Sequence, residues 1–290
     1  TDANNGVINL DGLAVDGTIA ANTNGGSGSV TLVNDNGLNF EASTVGGALQ
    51  ATATAGNMTQ SGILAISGTT TLTTSANDAT ITLSNTSNAF TGAITIITND
   101  ASGTDADVTI DGGTTALILA ASTIDGDLTL LDGNASGITD SGTVTVGGNL
   151  SVTTDANNGV INMGTLAVDG TIALNTHGSG DATVVNDNGL NFAASTVGGT
   201  LSATATTGHI ADSGTLAITG TATFITAANA SNIILDDASN VFTGAVTFKA
   251  DTGGNETFGN ITFVDSAAVK LDANADAAGD LFINAIKMLI

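Results

Sequence analysis

The feature that most constrains this chain is that it repeats itself. TDANNGVIN at Thr1–Asn9 returns at Thr154–Asn162, an offset of 153. LAVDGTIA recurs at Leu13 and Leu166, while NDNGLNF at Asn34 and Asn186, ASTVGG at Ala42 and Ala194, and FTGA at Phe90 and Phe242 keep an offset of 152. The lost residue falls where ANTNGGSGSVTLV faces LNTHGSGDATVV, a Gly-rich loop, so the apolar runs on either side are spared. Two long repeats follow, 1–153 and 154–290, the second incomplete, in one continuous body.

A shorter period is nested inside. Ser213–Asn240 holds three apolar-alternating runs, Leu216–Ile218, Ala222–Phe224 and Ile233–Leu235, joined by a Gly corner and a polar loop. One such coil cannot bury its inward side chains alone, so neighbours must stack on it. Cuts at Gly12, Gly37, Ser61, Asn88, Thr114, Ser141, Gly164, Gly189, Ser213, Asn240 and Ser266 give about eleven coils of roughly 25 residues. They predict three ladders: Leu38 and Phe40 under Leu64 and Ile66; Leu49 under Leu72; and Leu32, Met58, Ile81 and Ile110 in one column. The expected fold is all-β, a right-handed parallel β-helix (β-solenoid) with three strands per coil. The hand is expected from strand twist and the general crossover preference.

Composition supports the ladder. The chain has 38 Gly and no Pro; Pro cannot donate to a central strand, whereas Gly, Asn and Asp accept the left-handed backbone of tight corners. Asp16-Gly17, Asn36-Gly37, Asp125-Gly126, Asn158-Gly159 and Asn188-Gly189 sit between apolar runs as turn signals. Thr, Val, Ile, Asn and Gly dominate, which favours strand over helix.

Charge narrows the partners. With 27 acidic residues against Lys249, Lys270 and Lys287, the net charge is −24; such a surface repels phosphate, so nucleic acid is excluded as a partner. Acidity keeps a long β surface soluble. There is no Cys, hence no disulfide or thiolate site. No apolar run approaches the roughly 18 residues of a membrane helix. The chain opens TDANNGV without Met, as a segment of a longer polypeptide would.

At VGGALQATATAGNMTQSGILAISGTTTL (Val45–Leu72) and VGGTLSATATTGHIADSGTLAITGTATF (Val197–Phe224) the chain resembles repeats of filamentous-haemagglutinin-like bacterial surface proteins. The resemblance covers nearly the whole chain. It implies a right-handed parallel β-helix exported by two-partner secretion or as an autotransporter, serving adhesion or filament building. The family's N-terminal secretion domain and C-terminal membrane barrel have no counterpart in this stretch.

Residues able to carry chemistry are few. His177 and His209 are the two imidazoles, and both replace Asn of the first repeat, Asn24 and Asn57. The acidic clusters NDNG (Asn34–Gly37, Asn186–Gly189), DGNASG (Asp132–Gly137), DAD (Asp105–Asp107) and DANADAAGD (Asp272–Asp280) do not complete a calcium loop; Thr143 stands where a bidentate Glu belongs. Turn chemistry accounts for them, and the many water-facing Asp oxygens allow at most weak, adventitious Ca²⁺ binding, with no cofactor expected. The sequence thus assigns no catalytic, cofactor-binding or metal-binding residue. Pectin-processing enzymes share the β-helix, but their sites use Arg or Lys beside carboxylates, and this chain has no Arg, Tyr or Trp to handle or stack on sugars. Thr-rich runs at Ala51–Ala55, Thr69–Thr74 and Gly142–Val146 raise an ice-binding face, which would require TxT at one register in every coil.

The expectation is a nonenzymatic structural segment of an extracellular bacterial adhesin or surface filament. It would act as a rigid stalk or fibre, with a carbohydrate-processing or carbohydrate-binding β-helix as the rival and an ice-binding solenoid third. Expected partners are further repeats of the same chain or end-to-end copies, and host or cell-surface receptors engaged elsewhere on the parent protein.

Overall fold

The computed structural model of the chain describes residues 1, 4–99, 106–155, 158–250, 259–270 and 281–288. Among them every regular element is a β-strand. The fold is a parallel β-solenoid with three parallel sheets, about 11 turns and a repeat of roughly 21 residues. It comprises two compact units, Thr1–Asn149 and Leu150–Ile290.

One coil of unit 1 shows how the residues build it. A five-residue strand, Val30–Asn34, is followed by two three-residue strands, Leu38–Phe40 and Ser43–Val45, set at a bend. In the long strand Val30, Leu32 and Asn34 point inward and are buried while Thr31 and Val33 face out, the period-two pattern of a pleated strand. The next coil repeats the plan with Leu49–Ala53, Met58–Gln60 and Leu64–Ile66. Val30 pairs with Leu49, Leu38 with Met58 and Ser43 with Leu64, all parallel.

These registers correct the expected coil of 25 residues to about 21. Leu38 stacks on Met58 and not on Leu64, which belongs to the sheet of Ser43. Leu49 faces Thr70, and Leu72 rests on Ala51. Leu32 pairs with Ala51 rather than joining the column of Met58 and Ile81, which do pair as expected. The cause is that LNF and LAI both place two large apolar residues either side of a small or polar one that turns outward, so periodicity cannot tell the first arm of a bent pair from the second. Side-chain volume then sets the register: Ala51 sits between Leu32 and Leu72, small against large, as a close-packed core requires.

The bent pair changes side along the chain. In unit 1 the long strands Val30–Asn34, Leu49–Ala53, Thr70–Thr74 and Ile94–Ile97 share one sheet. Among the described residues no bent pair follows Ile94–Ile97; the next strand there, Val108–Asp111, is again long, and it stacks with Leu128–Asp132 in the second sheet. The bent pair Leu117–Leu119 and Ser122–Ile124 now lies on Ile94–Ile97, through Ile94 to Leu119 and Ile97 to Thr123. One straight strand thus spans the width of two short ones. Unit 2 does the same after Ile172–Thr176, which carries Leu190–Phe192 and Ser195–Val197, while Ala182–Asn186, Leu201–Ala205, Ala222–Thr226 and Val246–Ala250 stack as long strands.

The two cores differ in filling. Unit 2 holds Phe192, Phe224, Phe242, Phe248 and Phe263 in a connected run of ring contacts with centroids 5.0–6.3 Å apart. At three of the matching places unit 1 carries Leu72, Ile96 and Ile110, all buried.

Candidate functional site

Polar residues inside a solenoid must find partners, because a buried unpaired group costs about 1–3 kcal/mol. Here a set of Asn, Ser and Thr side chains finds them at the bends. Asn34 Nδ2 donates to the carbonyls of Val15 and Gly37 while its Oδ1 accepts the Val15 N–H; Asn186 does the same with Val168 and Gly189. The Ser of the bent pair is equally fixed. Ser43, Ser122 and Ser195 each donate to the carbonyl two residues back and accept a backbone N–H of the stacked coil, from Ala21, Ile96 and Leu174. Thr74, Thr154 and Thr176, each the last residue of a long strand, and Thr23 close the loop that follows by donating to a carbonyl four or five residues on. Gly46 and Gly198 follow the bent pair where a Cβ would lie within 1.8 and 1.9 Å of the carbonyl oxygens of Gly25 and Gly178, so no other residue fits.

At other corners a side chain accepts the backbone N–H of the coil stacked on it. Asn57 Oδ1 takes the Thr80 N–H at 2.9 Å, Asp107 the Asp127 N–H at 2.8 Å, Asp181 the Thr200 N–H at 2.6 Å and Asn232 the Asn260 N–H at 2.8 Å. His209 belongs to this set: its Nδ1 accepts the Asn232 N–H at 2.8 Å. Its ring is exposed, but it is a structural acceptor rather than a free surface group. His177 is exposed in the loop after Ile172–Thr176.

The acidic clusters separate. In NDNG the Asn turns inward while Asp35 and Asp187 are exposed. In DGNASG Asp132 is buried, Asn134 Nδ2 donates to the Thr114 carbonyl and its Oδ1 accepts the Ser136 N–H, an Asx turn. Asp105 and DANADAAGD at Asp272–Asp280 lie outside the described residues. Among the described residues no three His, Cys, Asp or Glu come together as a metal site. The titration of Asp212 departs from the ordinary carboxylate range. Burial pushes it above 3.8, against the lowering effect of hydrogen bonds from Asn240 Nδ2 and the backbone N–H groups of Asp236 and Asp237. In unit 1 the neutral Gln60 occupies this place and pairs its amide with Asn88.

Both repeats carry the same shallow groove. In unit 2 Asp169, Asn188, Asn191 and His209, from three successive coils, line an open groove of about 400 Å³. In unit 1 Asp16, Asn36, Asn39 and Asn57 line one of about 200 Å³. Its groups are one carboxylate, amides and, in unit 2, an imidazole. Asn39 and Asn191 each turn a buried Oδ1 without a hydrogen-bond partner away from solvent, so that oxygen is closed to a ligand hydroxyl. The Thr-rich runs do not build a uniform face. Thr71 and Thr73 stand side by side outward, but the stacked strands present Gln50 with Thr52 and Thr95 with Ile97.

Sequence reasoning missed the corner Ser and the shorter module it marks, although the signal is present: ASTVGG at Ala42, ASTIDG at Ala121 and ASTVGG at Ala194 split the long repeat into steps of 79 and 73 residues. Comparison with known families finds the same modules. Residues 27–97, 105–163 and 179–249 match the DUF5649 family, described as repeats of unknown function. The first and third matched stretches each run over four long strands and end in the fourth, Ile94–Ile97 or Val246–Ala250. No curated protein and no solved structure matches the chain. With more than half of its length covered, the chain belongs to the DUF5649 family of repeats.

Proposed function

We propose that this chain is a nonenzymatic structural segment of an extracellular bacterial surface protein, a filamentous-haemagglutinin-like adhesin or filament in which it serves as a rigid stalk. The observation that carries this reading is that side chains able to do chemistry are spent on joining coils: Asn34, Ser43, Asn57, Asp107, Asn186, Ser195 and His209 all bond backbone groups of a neighbouring coil. Each added coil extends the ladder by about 4.8 Å with no new fold. Further repeats of the same chain, or copies stacked end to end, are the partners this reading names. Receptors would be met through other parts of the parent protein.

Two measurements test the reading. Antibodies raised against residues 1–290 should label intact bacteria that make the parent protein; labelling that requires lysis would overturn the surface assignment. Electron microscopy of chains with one or two extra 152-residue repeats should show rods lengthened by about 4.8 Å per added coil, and constant length would overturn the stalk.

A further inference from the structure

Of the side chains that accept a backbone N–H across a corner, Asn22, Asn57, Asp107, Asp127, Asp181 and Asn232 do so through oxygen. His209 does so through Nδ1, held 2.8 Å from the Asn232 nitrogen. An amide oxygen keeps its lone pairs throughout the ordinary pH range. An imidazole nitrogen can accept only while it is unprotonated, and histidine is the side chain that changes charge between about pH 5 and 8.

We propose that His209 makes one corner of the solenoid acid-labile: protonation of Nδ1 removes the acceptor of the Asn232 N–H and sets two N–H groups against each other where a bond joined the coils. The first repeat carries Asn57 at this place, whose Oδ1 holds the Thr80 N–H at 2.9 Å and has no proton to gain in the same range. The device therefore belongs to unit 2 alone. The charged groups on the neighbouring elements are carboxylates: Asp169 across the groove, Asp187 on the preceding coil, Asp212 on the strand that follows His209, and Asp236 beyond the stacked strand Ile233–Leu235. The ring is exposed, so water takes up the freed N–H and the opening stays local.

Hydrogen exchange on the whole chain tests this at single amides. Between about pH 7.5 and pH 5 the protection factor of the Asn232 amide should fall by about 3- to 10-fold, the equivalent of one ordinary hydrogen bond, while that of Thr80 stays level. In His209→Asn the fall should vanish. In Asn57→His it should appear at Thr80. A fall that persists in His209→Asn would assign the effect to the surrounding carboxylates and overturn the proposal, as would an Asn57→His chain whose Thr80 amide ignores pH.

Discussion

The segments Val7–Ile19 and Val160–Ile172 have nearly the same sequence and different surroundings. Leu10 is 44% exposed, whereas its counterpart Met163 is 0% exposed; Ile161 and Leu166 are likewise buried, while Ile8 and Leu13 are only partly covered. Among the described residues the strand Ile8–Leu13 pairs along one edge, with Val30–Asn34. The alternation of apolar side chains marks which of them turn inward. Whether they leave water is decided by a neighbouring coil. A second contrast is chemical: unit 2 fills its core with a run of Phe where unit 1 uses Leu and Ile.

These contrasts can be broken by substitution, read as shifts of urea or thermal midpoints. The largest effect is expected in the aromatic run. Phe224 touches Phe192, Phe242 and Phe248, so Phe224→Ala should cost about 3–5 kcal/mol and more than Leu72→Ala in unit 1, a truncation in the class that costs roughly 2–5 kcal/mol. An equal or smaller loss for Phe224 would show that the rings add nothing beyond volume. Met163→Ala should cost about 2–5 kcal/mol and Leu10→Ala less than about 1, because half of Leu10 already meets water. Similar losses at both would mean that the first copy is covered in solution.

Smaller effects sharpen the comparison at the corners. Asn186→Ala leaves the N–H and carbonyl of a buried Val168 unpaired and should cost about 1–3 kcal/mol; Asn34→Ala should cost less, since Val15 is only partly buried. The smallest effect concerns Asp212. Its carboxyl is raised above 3.8 in the folded chain, so the native state binds the proton more tightly than the unfolded one. Stability from this group is fullest below 3.8 and falls as pH rises through the folded value. Asp212→Gln, which installs the residue of unit 1, should flatten that slope and raise the midpoint slightly at neutral pH. An unchanged acid-side slope would remove Asp212 from the account.

Much of this was legible before any coordinates. The absence of Pro, the Asp-Gly and Asn-Gly corners and the exact return of NDNGLNF and ASTVGG point to stacked parallel coils. The Ser of ASTVGG was legible as well, had ASTIDG at Ala121 been aligned with it. The role of His209 was not. Its replacement of Asn57 reads as drift until the two are seen accepting equivalent backbone N–H groups.

The sequence by itself determined that the chain is all-β, that its strands alternate inward and outward, and that coils stack, because these follow from local backbone preference and from repetition. Only the tertiary structure decided the register of about 21 residues, the sheet each strand joins, and which copy of a nearly identical segment is buried. Leu38 could satisfy its pleat against Leu64 as well as against Met58. The choice fell to groups far apart in sequence: side-chain volumes meeting across the core, and Asn and Ser finding the backbone of the next coil.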